Sequence, residues 1–127
     1  MRRRILDLVF AMILVVSLAS ATALASTTTS YGTSTRQYIA TVTNYTQDDG
    51  TVYAKLYPAP TSPAAVLQIC DQSGSVVLKS KTYPAYPQNP EYTTCYVGPD
   101  SDYRKIYVVP YYSGNYVWGT AEYFLSV

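Results

Sequence analysis

From Gln37 to Val127, apolar and polar side chains alternate with a period of two, and no window carries apolar residues at i, i+3, i+4 and i+7 for any length. A period of two puts successive side chains on opposite faces of an extended backbone, so this pattern builds half-buried strands and leaves no place for an amphipathic helix. The stretch TVYAKLY at residues 51–57 is the clearest case, with Val52, Ala54 and Leu56 set against Tyr53, Lys55 and Tyr57. The same Tyr-x-Lys-x-Tyr pentad returns at Tyr103, Lys105 and Tyr107, again followed by a proline.

The pattern predicts seven strands, at about 37–45, 51–57, 64–70, 75–82, 92–97, 103–112 and 115–126. Asp-Gly and Ser-Gly turn signals in QDDG (47–50), DQSG (71–74) and SGN (113–115) separate them. Pro58, Pro60 and Pro63 stop the second strand, and YPAYPQNPEY (83–92) holds three prolines that keep it out of a ladder. Short strands at this spacing predict an all-β, two-sheet β-sandwich in one domain, 37–127. The strand count resembles an immunoglobulin- or fibronectin-like architecture, although no tryptophan lies between the two cysteines.

Alternation also predicts the core. The inward set is Tyr38, Ala40, Val42, Val52, Ala54, Leu56, Ala65, Leu67, Ile69, Val76, Leu78, Cys95, Val97, Ile106, Val108, Val117, Ala121, Tyr123, Leu125 and Val127. The last strand is apolar on its other side too, through Tyr116, Trp118 and Phe124. Such a strand is either central and covered, or keeps one face for a partner.

Upstream, Arg2, Arg3 and Arg4 precede an apolar run and the small-residue site Ala23-Leu24-Ala25, the order of a secretory signal peptide over 1–25. Cleavage there leaves 102 residues with six basic and seven acidic side chains, so the full chain's net charge of +1 belongs mostly to the exported tag. A nearly neutral chain carries no basic field for nucleic acid or for an anionic membrane. Ser26 rather than a cysteine stands directly after the cleavage site and no lipidation signal ends the chain, which predicts a secreted product without a membrane anchor. Residues 26–36 are almost all Ser and Thr and are expected to form a disordered leader.

Export and an even cysteine count predict one disulfide between Cys70 and Cys95, with free thiols or an intermolecular bridge as the alternative. Closing that loop would remove unfolded-state entropy worth about 3.5 kcal/mol. Asn44-Tyr45-Thr46 fits the N-glycosylation triplet, and a plain strand end fits it as well.

The chain contains no histidine, which removes the commonest general base and most zinc sites. Asp48, Asp49, Asp100 and Asp102 sit in turn signals, where Asp bonds its own backbone, and Asp100-Ser101-Asp102 lacks the further ligands of a calcium loop. No enzyme, cofactor or metal is expected.

What remains is tyrosine, 15 in all, none of it in the first 25 residues. Its flat ring and hydroxyl suit contacts to sugar rings or protein surfaces. The candidate ligand face is Tyr53, Lys55, Tyr57, Tyr103, Lys105, Tyr107, Tyr116 and Trp118. Tyrosine is equally a strong strand former, and lysine guards exposed strands, so a solubilised sheet surface explains the same residues. The expected function is a non-enzymatic binding or adhesion module, with glycan or a protein surface as partner. The alternatives are a structural or assembly protein of a surface layer or matrix, and a small inhibitor or effector acting through the 83–92 loop.

Overall fold

The computed structural model describes residues 26–85 and 89–127; the expected signal segment lies outside the described residues. Eight strands follow in order: β1 Thr27–Thr33, β2 Gln37–Asn44, β3 Gly50–Pro58, β4 Ala65–Cys70, β5 Val77–Tyr83, β6 Thr93–Val97, β7 Asp102–Pro110 and β8 Val117–Ser126. They form two four-stranded antiparallel sheets, β1-β8-β3-β6 and β2-β7-β4-β5. The core lies between them, where Val52, Leu56, Leu67, Ile69, Ile106, Val108 and Val117 are fully buried. Each such side chain contributes about 1.5–3 kcal/mol by leaving water.

Eight strands replace the expected seven because part of the Ser/Thr leader is a strand. Thr27–Thr33 pairs with β8 in unbroken register, from Thr27 opposite Tyr123 to Thr33 opposite Val117. Its threonines suit an extended backbone, and its one large side chain, Tyr31, turns into the core at 4% exposure. An edge strand needs little more apolar area than that when its backbone groups are satisfied by a neighbour.

Three parts of the predicted core are corrected. A bulge between Tyr38 and Ala40 rotates β2 so that Ile39 points inward and Tyr38 lies out on the surface. Val76 is exposed in the turn before β5, and Leu78 is exposed because the register that sets Lys79, Lys81 and Tyr83 opposite inward-facing Ile69, Leu67 and Ala65 turns it to the outer face; Val127, past the end of β8, is exposed as well. The remaining inward residues of β3, β4, β6 and β7 are buried as the alternation requires.

The predicted disulfide is absent: Cys70 and Cys95 are both buried free thiols. Cys95 faces the core opposite Val52 of β3. Cys70 follows inward-facing Ile69 by one residue, beside a register shift, and its Sγ accepts a hydrogen bond from Arg36 Nη2 at 3.3 Å on the outer side of the other sheet. The two sulfurs therefore serve different faces.

By the antiparallel order, the β2–β3, β4–β5 and β6–β7 connections share one end of the sandwich, and fully buried Asn44 ties two of them together. Its Nδ2 donates to Asp48 O at 2.8 Å and Gly98 O at 3.1 Å, while its Oδ1 accepts from Thr46 N at 3.0 Å and Thr46 Oγ1 at 2.7 Å. The amide that a glycan would have to modify is thus occupied and buried, and the triplet marks a structural asparagine in the folded chain.

Candidate functional site

The two pentads lie on opposite outer faces of the sandwich: Tyr53, Lys55 and Tyr57 on β3, and Tyr103, Lys105 and Tyr107 on β7 of the other sheet. They do not form one surface. Tyr116 and Trp118 join the β3 side, their rings stacked with centroids 5.9 Å apart, and Tyr116 covers Gly32, where a Cβ would meet its hydroxyl.

On the β3 face the strand register decides what each side chain meets. Tyr53 stands opposite Phe124, Lys55 opposite Glu122 and Tyr57 opposite Thr120. Tyr53 and Phe124 stack with centroids 4.9 Å apart and an interplanar angle of 3°, and Tyr92 stands edge-on to both, at 5.8 and 5.5 Å. Such aromatic pairs stabilise a sheet by about 0.5–1.5 kcal/mol each beyond their buried area. Lys55 Nζ lies 3.5 Å from Glu122 Oε2 and 4.1 Å above the Tyr92 ring, with the Tyr57 ring at 5.1 Å. Tyr92 donates its hydroxyl to Glu122 Oε2 at 2.5 Å.

These contacts shift the charges consistently. The neighbouring Tyr57 hydroxyl, and after it Tyr92, hold the Lys55 ammonium well above its usual range against the opposing effect of burial. The Tyr92 hydroxyl and then Lys55 keep the Glu122 carboxyl below the usual glutamate range, and Glu122 in turn pushes the Tyr92 phenol up. Tyr92 and Glu122 are absent from the candidate face that the sequence suggests, and Phe124 appears there only as an apolar residue of the last strand, because their part in the cluster depends on which strand lies beside β3.

On the β7 face, Tyr107 is enclosed. The Arg36 guanidinium lies 3.6 Å above its ring, Tyr38 packs edge-on at 5.7 Å, and its hydroxyl lies against Gly74 of the β4–β5 turn. Gly74 has φ +77 and a Cβ there would meet that hydroxyl at 2.5 Å, so the turn can close over Tyr107 only with glycine. Arg36 also donates to Gln68 Oε1 at 3.1 Å and to Gly74 O at 2.6 Å. Burial raises the Cys70 thiol despite this guanidinium. Tyr103 and Lys105 stand opposite Thr43 and Thr41 of β2 and are half-buried.

The 83–92 loop is anchored at both ends. Tyr83 is buried and donates to Glu91 O at 2.5 Å, and Tyr92 is held by Glu122; residues 86–88 lie outside the described residues. At the same end of the sandwich, Ser34, Thr35, Val109, Pro110, Tyr111 and Ser113 line a shallow cleft of about 350 Å³. Exposed Tyr111 and Tyr112 pair beside it at 4.8 Å. Among the described residues no group of three or more His, Cys, Asp or Glu side chains is placed to hold a metal ion.

No family model matches the chain, and no curated protein matches it. Among solved structures, the chain is similar to a protein of Bacillus endospore appendages, which form a family of disulfide-linked pili. The two superpose with a TM-score of 0.50 over 80% of this chain and 84% of that one, at 8% sequence identity, a likeness of fold.

Proposed function

We propose that the chain is a non-catalytic, extracellular building block, a β-sandwich whose copies join into a surface structure such as a coat, matrix or appendage. One observation carries this. The side chains best suited to hold a ligand on the two pentads are already engaged with one another or with Arg36, Glu122 and Tyr92, whereas both sheets end in edge strands with free backbone groups. Open edges join chains by main-chain pairing, which needs no pocket. The fold likeness to an appendage protein and the export signal in the sequence support the same reading. Light scattering and negative-stain microscopy across protein concentration and salt test it. Assembly predicts concentration-dependent oligomers that salt does not disperse; a single monomeric species throughout would refute it.

A second function, binding of neutral glycan or a protein surface, is favoured by one feature. Tyr57, Tyr116 and Trp118 share the β3–β8 face, and Tyr57 and Tyr116 keep more than a third of their surface in solvent. Retention on insoluble glycan that disappears in Tyr116→Ala and Trp118→Ala variants of unchanged melting temperature would establish it. Equal retention by wild type and variants would exclude this face.

A further inference from the structure

We infer that the edge of β1 is the docking strand for a second copy of this chain, pairing antiparallel with its own counterpart to make one continuous eight-stranded sheet across two molecules. This rests on the assembly reading above and names the surface that would serve it.

The four edges of the sandwich are β1, β6, β2 and β5, and they are not equivalent. β5 sets Lys79 and Lys81 opposite inward-facing Ile69 and Leu67, so two ammonium groups sit on the inner side of that edge, a device that discourages strand addition. β2 is interrupted by its bulge at Tyr38, and β6 is five residues long and runs into Gly98-Pro99. β1 has none of these guards. It is seven residues long, uncharged, free of proline and paired with β8 without a register shift.

Its backbone direction can be assigned. Trp118, opposite Gly32, gives its N–H to Ser62 Oγ and accepts Ala59 N–H on its carbonyl, both on the side away from β1. Gly32 accordingly gives its own N–H to Gln37 Oε1. In an antiparallel ladder this parity alternates, so Thr27, Thr29, Tyr31 and Thr33 bond β8 while Thr28 and Ser30 present their N–H and C=O to the open edge.

Thr28 and Ser30 are two residues apart, which makes the edge self-complementary. With a twofold axis at Thr29, Thr28 of each copy faces Ser30 of the other, and the two pairs exchange four main-chain hydrogen bonds. Thr29 then faces Thr29 across a non-hydrogen-bonded pair, where Cα atoms lie about 4.5 Å apart. No like charges oppose one another along the ladder, and hydroxyl side chains pair favourably across strands.

The test uses the chain from Ser26 onward, which holds every described residue. Ser30→Pro removes an N–H that serves only the open edge and should weaken self-association on the order of tenfold or more, with the fold retained by circular dichroism. Because proline can strain the strand, Thr29→Cys provides an independent reading: mild oxidation should yield a covalent dimer, since that Cα spacing accepts a disulfide, while Thr94→Cys on β6 should not. Oligomers of unchanged size and affinity in Ser30→Pro, together with no dimer from Thr29→Cys, would overturn β1 as the docking strand and leave assembly standing. A wild-type chain that stays monomeric would remove both.

Discussion

Asn44→Ala removes the side chain that joins two connections at one end of the sandwich. The wild-type amide makes four hydrogen bonds, to Asp48 O, Gly98 O, Thr46 N and Thr46 Oγ1, from a position with no solvent exposure. A net hydrogen bond is worth about 0.5–1.5 kcal/mol, and a buried group left without a partner costs about 1–3 kcal/mol. Thr46 and Asp48 are exposed residues and can turn to water, whereas buried Gly98 cannot, so the expected loss is about 2–4 kcal/mol. For a domain of this size that lowers the melting temperature by roughly 10–25 °C. Urea denaturation should show the midpoint falling with an unchanged slope, as for a loss of native contacts without a change in exposed area. Asn44→Asp sharpens the test: it turns the donor toward two carbonyl oxygens into an acceptor or a charge, and should cost at least as much at neutral pH. The introduced carboxyl would have a raised folded pKa, so part of its cost should be recovered as pH falls and the group takes up a proton. A loss below about 0.5 kcal/mol for Asn44→Ala would show that the network does not hold these connections together.

Other outcomes follow from the same geometry. Alkylation of the denatured, unreduced protein should add two adducts, one each at Cys70 and Cys95, and a reductant should leave the melting temperature unchanged; a fall on reduction would restore the disulfide. Tyr31 Oη is buried without a hydrogen-bond partner among the described residues, so Tyr31→Phe should keep or raise stability by up to about 1 kcal/mol in thermal denaturation. Gly119→Ala should destabilise by about 2 kcal/mol or more, because its Cβ would run into the Tyr57 carbonyl oxygen and lie 2.9 Å from Pro58 Cα, forcing β3 and β8 apart. Glu122, whose folded pKa is depressed, stabilises the fold above its unfolded pKa and ceases to do so as pH falls through the folded value; Glu122→Gln should therefore flatten the acid limb of the stability profile, below the ordinary glutamate pKa, in urea denaturation followed across pH.

Local alternation was enough to place β2 to β8 and most of the core, because burial of one face imposes the period directly on the side chains. It was not enough for β1. Counting apolar residues treats Thr27–Thr33 as unable to offset its ordering entropy, but an edge strand draws on its neighbour's backbone groups and here needs only Tyr31 in the core. The disulfide expectation came from compartment and count, neither of which knows which way a side chain points. The relevant signal was present: with Ala65, Leu67 and Ile69 inward, Cys70 must turn outward, while Cys95 belongs with the inward set. The bulge at Tyr38 left no mark in the residue pattern, since Tyr, Ile and Ala are each compatible with either face.

The two pentads show why the site was less legible than the fold. Tyr53-x-Lys55-x-Tyr57 and Tyr103-x-Lys105-x-Tyr107 are the same local signal, and both are outward faces of inner strands. Their environments differ through strands distant in sequence. β3 lies beside β8, so its lysine meets Glu122 and its first tyrosine stacks on Phe124, giving a charged and aromatic wall. β7 lies between β2 and β4, so its last tyrosine is roofed by Arg36 and the turn at Gly74, while its lysine stands opposite Thr41 and Cys70. Cross-strand partners, not the repeated motif, determine whether a tyrosine is structural filler or an available surface. By that criterion the open groups among the described residues include main-chain ones along the edge strands, and the exposed rings of Tyr111, Tyr112 and Tyr116 gather at the opposite end of the sandwich from Asn44.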